Sequence, residues 1–384
     1  MKTFAVHICL VSKQPLPNFL PIFEADFRPQ KVILLVTPEM KNEADILASV
    51  IKNRCQINNI EQIAIADEYN ISLVENELLH LLADYQSDKV AVNITGGTKL
   101  MAIAAFNFAQ DNGYQCFYFT QNQSEIILFH PKRQPEILLQ CQSQKLKIED
   151  YLNLYGFEIK AIQVKPLNIQ QWIKQCIEQY DQFVKIIPQL NYQLFKLPDN
   201  ELLLSLNKFN HYDYQAITAL LSDLGTIKQG LFQFDNKENK QFAHGGWFEQ
   251  FVFNQLKELK KEYPQIQDIA LNIEFKIQSD ETHNEIDIAV LCNNILYLIE
   301  CKTVNFEKES GQKQGNDILY KLETLKKTGG LNTQCALISY ISTKNKKGNN
   351  PIKSRAKSNQ IELWAGKDDI KGLKTHLIKW LGLK

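Results

Sequence analysis

A chain of 384 residues is longer than one typical domain, so two folded units, or two with a connector, are expected. The hydrophobic share of 44% with 21 Phe is ample for packed cores and excludes wholesale disorder. Lys+Arg and Asp+Glu both number 43, so there is no global basic field, and any nucleic-acid contact must be a local patch.

The eight Cys are scattered and form no CxxC pair, which argues against a zinc site and fits a reducing, cytoplasmic setting. No run approaches the roughly 18 apolar residues of a membrane span. The opening MKTFAVHICLVSKQPLP has one Lys before a short apolar run. His7 interrupts that run and no small-residue cleavage site follows, so it reads as a first core strand rather than a signal peptide.

Strand-like runs TFAVHICLV (3–11), KVILLVT (31–37), QIAIA (62–66), KVAVNIT (89–95) and QCFYFT (115–120) open the chain. Between them NEADILASVIKN (42–53) and LVENELLHLLADY (73–85) carry apolar residues at helical spacing. This alternation predicts a doubly wound, Rossmann-like α/β unit over residues 1–140, with TQNQSEIILF (120–129) as a hairpin closing one edge.

Within that unit, VNITGGTKLMAIAAFNFA (92–109) reads as a strand, a Thr95-Gly96-Gly97-Thr98 loop, and a helix starting near Lys99. Consecutive Gly let main-chain N–H groups approach an anion, and the helix N-terminus favours negative charge. Thr95, Thr98 and Lys99 add hydroxyls and a cation. The loop is neither a Walker A nor a GxGxxG sequence, and an ordinary tight turn is the competing reading. Ser12, Lys13 and Gln14 after the first strand, and Thr37 after the second, open onto the same carboxyl edge, where such sheets bind ligands.

Residues 141–240 are rich in Gln and Asn and read as a mostly helical connector without identifiable chemistry. IQQWIKQCIEQYDQFVKII (169–187) has a helical pattern; HYDYQAITALLSDLG (211–225) reads as a helix stopped by Gly225. A winged-helix module is compatible with the segment, although no residue pattern requires one.

A second α/β unit follows over 241–384. GGWFEQFVFNQLKELKKEY (245–263) is an amphipathic helix with Phe248, Phe251, Val252, Leu256 and Leu259 on one face. NEIDIAVLCNNILYLIECKT (284–303) then places three charged residues on two apolar strands. Asn293-Asn294 suits a type I′ turn, which pairs Cys292 with Ile295 and brings Asp287 opposite Glu300. Lys302 falls on the same face as Glu300. Facing carboxylates repel, so a positive group must sit between them, and Mg²⁺ or Mn²⁺ bound by Asp287 and Glu300 is the natural candidate. The competing reading is a surface hairpin with solvated charges. A helix near 316–327, a strand QCALISYIS (334–342) and a terminal helix complete the chain. The run TKNKKGNNPIKSRAKS (343–358) is a solvated loop or a guide for a phosphate backbone.

The spacing Asp287, twelve intervening residues, Glu300-Cys301-Lys302 resembles the core of PD-(D/E)xK nucleases. That resemblance implies a restriction-endonuclease-like fold, an additional acid at Glu249 and a basic active-site residue at Lys321. Together with LVSKQPLPN and NITGGTKLMA, the chain resembles the CARF-domain nucleases of type III CRISPR defence. The resemblance implies a homodimer whose paired sensor sites bind one cyclic oligoadenylate, commonly the tetra-adenylate. Ser12, Gln14, Thr37, Gly96, Gly97, Thr98 and Lys99 are the positions it supports for that site. It further implies metal-dependent cleavage of single-stranded RNA or DNA, with nicking of duplex DNA in some members. Two alternatives stay open at this point: a restriction- or repair-type nuclease without cyclic-nucleotide control, and a CARF-type regulator that only binds nucleic acid.

Overall fold

The computed structural model describes residues 4–121, 123–131, 134–141, 145–163, 167, 169–277, 280–345 and 347–384. Thr3, Asn122 and Lys346, which fall inside segments singled out above, lie outside the described residues.

Seven strands form the N-terminal sheet: β1 (Val6–Leu10), β2 (Lys31–Val36), β3 (Ile60–Ala64), β4 (Val90–Asn93), β5 (Gln115–Thr120), β6 (Glu125–Phe129) and β7 (Glu136–Gln140). Their order is β3-β2-β1-β4-β5-β6-β7. The first five run parallel, and β6 and β7 add an antiparallel edge. Helices α1 (Leu16–Phe23), α2 (Lys41–Cys55), α3 (Ile71–Leu82) and α4 (Lys99–Asn112) make the crossovers. Every residue of β1 is buried: Val6, Ile8 and Leu10 pack with α3 and α4, Cys9 with α1 and α2. Two covered faces are why this strand reads as a continuous apolar run. Strand order reverses between β1 and β4, so the loops leaving Leu10 and Asn93 diverge at the switch point, where a ligand crevice is expected.

Residues 145–241 contribute α5 (Ile148–Leu154), β8 (Phe157–Ile162), α6 (Gln170–Glu178), α7 (Tyr180–Phe195), β9 (Leu203–Ser205), α8 (His211–Leu221), β10 (Gly225–Lys228), β11 (Leu231–Phe234) and α9 (Lys237–Gln241). The predicted helix over 169–187 is two helices, broken at Gln179 where φ is −99° and ψ is 38°. Gly225 does not stop α8. Ser222 caps that helix, and Gly225 opens β10 opposite Phe234 in a small β10-β11-β9 sheet. The correction follows from local pairing: Gly225 is held by a neighbouring strand that the helical pattern cannot show.

The C-terminal unit comprises α10 (Trp247–Glu262), β12 (Ile266–Ile277), β13 (Asp280–Cys292), β14 (Ile295–Lys302), α11 (Glu309–Thr328), β15 (Gln334–Ser339), α12 (Pro351–Ser358), β16 (Glu362–Ala365), α13 (Lys367–Lys371) and α14 (Leu373–Trp380). Its sheet runs β16-β15-β14-β13-β12-β8, so β8 from the connecting segment forms one edge. Phe248, Phe251, Val252, Leu256 and Leu259 of α10 are all buried, as their spacing predicts. The connecting helices share this core through a reciprocal pair: Tyr180 Oη donates to the Tyr340 carbonyl (2.6 Å), and Tyr340 Oη to that of Cys176 (2.7 Å). Between the two units α5 acts as a wedge. Asp150 pairs with Arg54 of α2 (2.6 Å), and Tyr151 Oη donates to the Gly329 carbonyl (3.0 Å).

Candidate functional site

Asn293 and Asn294 have φ of 49° and 60°, the two left-handed residues of a type I′ turn. The turn sets the register, with Cys292 opposite Ile295 and pairing continuing to Ile288 opposite Ile299. One step further the ladder opens. Asp287 Oδ2 there accepts the Cys301 N–H (2.6 Å), so the aspartate is pinned against β14 beside Glu300. Lys302 Nζ lies 3.2 Å from Asp287 Oδ2 and 2.8 Å from Glu300 Oε1. From α11, Lys321 Nζ reaches Glu300 Oε2 at 3.0 Å. The structure therefore brings Asp287, Glu300, Lys302 and Lys321 onto one patch, with both carboxylates buried. The positive charge that the facing carboxylates require is supplied by Lys302.

Glu249 joins from the first turn of α10. Asn272 connects it to the pair: with its amide nitrogen facing inward, it donates to Glu249 Oε2 (3.2 Å) and to the Asp287 carbonyl (3.3 Å). Asn272 sits inside β12 at φ 48°, between the residues paired with Ile288 and Ile286, which aims its amide at the site. Sequence reasoning did not single it out. Its signal was an Asn within the apolar run IALNI (269–273), a residue that tolerates positive φ.

Burial, then the charge of Asp287, pushes the Glu249 carboxyl well above the usual range. Burial and then Glu300 raise Asp287. Burial also pushes Glu300 up, but Lys302 and Lys321 more than offset it and leave its carboxyl low. Lys302, which burial alone would lower, is held high by Asp287 and Glu300. Three carboxyl groups thus crowd two ammonium groups, with Glu249 the one held towards its neutral form.

Among the described residues no group of three or more His, Cys, Asp and Glu is placed to hold a metal ion. A hard divalent cation nevertheless fits. Mg²⁺ keeps several waters and uses one or two carboxylates rather than a full protein cage. Asp287 and Glu300 already share one cationic neighbour, the Lys302 ammonium, within hydrogen-bond distance of both.

At the N-terminal loop the predicted residues divide. Ser12, Gln14, Thr95, Gly97 and Thr98 are partly exposed, Lys13 and Lys99 are exposed, and Gly96 and Thr37 are buried. The Thr95 hydroxyl donates to Asn93 Oδ1 (2.7 Å) and accepts the Phe119 N–H (2.8 Å). That of Thr98 caps α4 by accepting the Met101 N–H (3.2 Å) and donates to the Glu68 carbonyl. Both hydroxyls hold the loop itself. A Cβ on Gly96 would stand 2.1 Å from the Leu10 carbonyl oxygen, and Gly97 has φ 71°. The glycines are therefore required by the packing of the loop on β1, whatever they present to a ligand. Ser12 closes a short turn with the Gln14 main chain. The Gln14 side chain leaves the unit altogether: its Oε1 accepts from Tyr155 Oη (3.1 Å) and the Leu331 N–H (3.4 Å). Beneath the loop lies a buried amide relay that the sequence reading missed. Asn93 Nδ2 donates to the Pro17 carbonyl and to Asn18 Oδ1 (both 2.9 Å), and Asn18 Nδ2 to the Leu10 carbonyl (2.8 Å).

The chain matches the family model of the Card1 CARF domain over residues 6–151 and that of the Card1-like endonuclease domain over residues 236–383. Among solved structures it is similar to protein VC1899 from Vibrio cholerae, with 22% identity, a TM-score of 0.80 and 98% of each chain covered. It is also similar to Can2 from Sulfobacillus thermosulfidooxidans, solved in complex with cyclic tetra-adenylate. That match has 25% identity and a TM-score of 0.73, covering 98% of this chain and 97% of that one. A type III CRISPR defence DNA nuclease activated by cyclic oligoadenylate shares the fold at 14% identity and a TM-score of 0.53, over 88% of this chain and 45% of that one. No curated protein matches the chain. A Card1-type CARF domain followed by a Card1-like endonuclease domain makes this chain a member of the CARF-domain nucleases of type III CRISPR systems.

Proposed function

We propose that this nuclease depends on Mg²⁺ or Mn²⁺ and is switched on by a cyclic oligoadenylate, the tetra-adenylate, to cleave single-stranded RNA or DNA in the cytoplasm. Residues 1–140 serve as sensor, 141–240 as connector and 241–384 as nuclease, in a homodimer that binds one ring across its two-fold axis. The observation that carries the reading is the patch itself, with Asp287 and Glu300 side by side and Lys302 within hydrogen-bond distance of both. The sensor half is supported by the relative that holds cyclic tetra-adenylate on the same fold. A bound divalent ion supplies polarisation of a phosphoryl oxygen and a lowered pKa for a coordinated water. Asp287 and Glu300 would hold such an ion, and the Cys301 N–H fixes the aspartate so that its position is set before substrate arrives. Lys302 and Lys321 present ammonium groups to the charge that develops on the phosphate. Glu249, held through Asn272, closes the patch with a third carboxyl.

The test is cleavage of labelled single-stranded RNA and DNA by the full-length protein, with and without cyclic tetra-adenylate and Mn²⁺. Glu300→Gln is expected to lower the rate at least a hundredfold while ring affinity and melting temperature stay near wild type. Lys302→Ala is expected to do the same. Near-normal cleavage by Glu300→Gln would remove the assignment. Cleavage that ignores the ring would keep the nuclease and discard the switch.

A further inference from the structure

A cleft of about 1660 Å³ opens beside the patch, with Glu249 and Lys302 in its lining. One wall is α7, from the segment that the sequence left without chemistry. This helix buries Phe183, Ile186, Ile187, Leu190 and Leu194 against the core and turns Pro188, Asn191, Tyr192 and Phe195 to the cleft. Asn191 Nδ2 donates to Thr303 Oγ1 (2.8 Å), the residue directly after Lys302, so the helix is fixed to the end of the catalytic strand. Tyr192 and Phe195, three residues apart and therefore neighbours on one face, are 53% and 76% exposed. Such exposure of adjacent rings is costly unless they meet a partner. Lys196 Nζ lies 4.1 Å from the centre of the Tyr192 ring. Across the cleft Lys308 and Lys344 contribute two more cations.

We propose that Tyr192 and Phe195 form a base-stacking platform that leads a single-stranded nucleic acid into the active site. This rests on the nuclease reading above and assigns it a substrate-binding wall outside the nuclease unit. The chemistry selects the occupant. Flat exposed rings accept unpaired bases of any sequence, and the flanking ammonium groups accept the phosphates between them. In a duplex the bases are stacked on one another and offer no free face to these rings, so an unpaired strand engages the wall and a duplex does not. The cleft reaches Glu249 and Lys302, the latter within hydrogen-bond distance of Asp287 and Glu300, so a strand lying on the platform brings a phosphodiester to that patch.

The experiment measures fluorescence anisotropy of a labelled single-stranded oligonucleotide on full-length protein carrying Glu300→Gln, in the presence of cyclic tetra-adenylate and Ca²⁺. Adding Tyr192→Ala and Phe195→Ala is expected to weaken binding about tenfold for each ring. Tyr192→Phe with Phe195→Tyr is expected to restore it. An oligonucleotide with 2-aminopurine at the stacked position is expected to be quenched by the Glu300→Gln protein and not by the alanine variant. Both rings are exposed, so the variants retain the fold, and unchanged melting temperature checks this. Affinity and quenching unaltered by the two alanines would overturn the platform, as would a Glu300→Gln protein that does not bind the strand. Normal binding with no cleavage by the wild-type protein would instead overturn only the nuclease reading.

Discussion

His7 is fully buried in β1, with the rings of Phe27, Phe117 and Phe4 centred 4.7, 5.3 and 6.5 Å away. Neither ring nitrogen has a hydrogen-bond partner among the described residues. Burial lowers its pKa from 6.5 to about 3. The folded state therefore keeps His7 neutral while the unfolded chain takes up a proton below pH 6.5. Stability contributed by the neutral ring is present above pH 6.5 and is lost progressively as pH falls towards 3. At pH 5 the expected loss is about 2 kcal/mol. His7→Leu removes the titrating group, so the gap between its denaturant midpoints at pH 7 and pH 5 is expected to be smaller than in wild type. Equal gaps would show that His7 is not neutral in the fold. At this scale the residues of the candidate site were the more legible ones. The Asn-Asn turn counts the register outward to Ile288 opposite Ile299, which leaves Asp287 and Glu300 one step beyond on adjacent strands. Asn272 was not legible, because its contribution depends on a left-handed backbone inside β12 and on a carboxylate from a different element.

Among the elements, the loop between β4 and α4 shows how one sequence signal can have two causes. Its glycines resemble a phosphate cradle, yet Gly96 is pressed against Leu10 and both Thr hydroxyls are spent on anchoring the loop to its surroundings. Only Lys99, exposed at the start of α4, is free of such duties. Gly96→Ala is therefore expected to destabilise the protein by about 1–3 kcal/mol, because the added methyl must displace main chain. Lys99→Ala should leave the melting temperature unchanged and weaken cyclic tetra-adenylate binding several-fold in titration calorimetry. An unaltered affinity would place the ring elsewhere. Strands β1, β2 and β4 of the N-terminal unit could be read because they are buried on both faces and bounded by helical patterns. Helix α1 could not, since Pro15, Pro17 and Pro21 within and beside it mask its period. Strand β8 escaped for another reason: its partner β12 lies more than a hundred residues away, and a short exposed strand carries little pattern of its own.

For the whole molecule, the contacts between sensor and nuclease units give the switch a physical route. Gln14, on the loop after β1, accepts from Tyr155 Oη and from the Leu331 N–H. Tyr155 stacks on Tyr151 at 4.9 Å, and Tyr151 holds the Gly329 carbonyl at the end of α11. The same helix carries Lys321, paired with Glu300. A second contact runs from the β5–β6 turn to the β13–β14 hairpin: Gln121 Nε2 donates to the Asn294 carbonyl (3.0 Å), and Asn294 Nδ2 to Ser124 Oγ (2.7 Å). A ligand activates only by binding the active arrangement more tightly than the resting one. A ring that engages Gln14 competes with Tyr155 and Leu331 for the same oxygen, so it frees the end of α11 and with it the position of Lys321. Tyr155→Phe removes that hydroxyl without touching a residue of the sensor loop. One neutral hydrogen bond contributes about 0.5–1.5 kcal/mol, so ring-independent cleavage is expected to rise roughly twofold to tenfold. The stimulation ratio should fall by the same factor, while the rate with saturating ring stays constant. Basal and stimulated rates both equal to wild type would exclude this route and leave the Asn294 contact, testable by Ser124→Ala, as the path between the units.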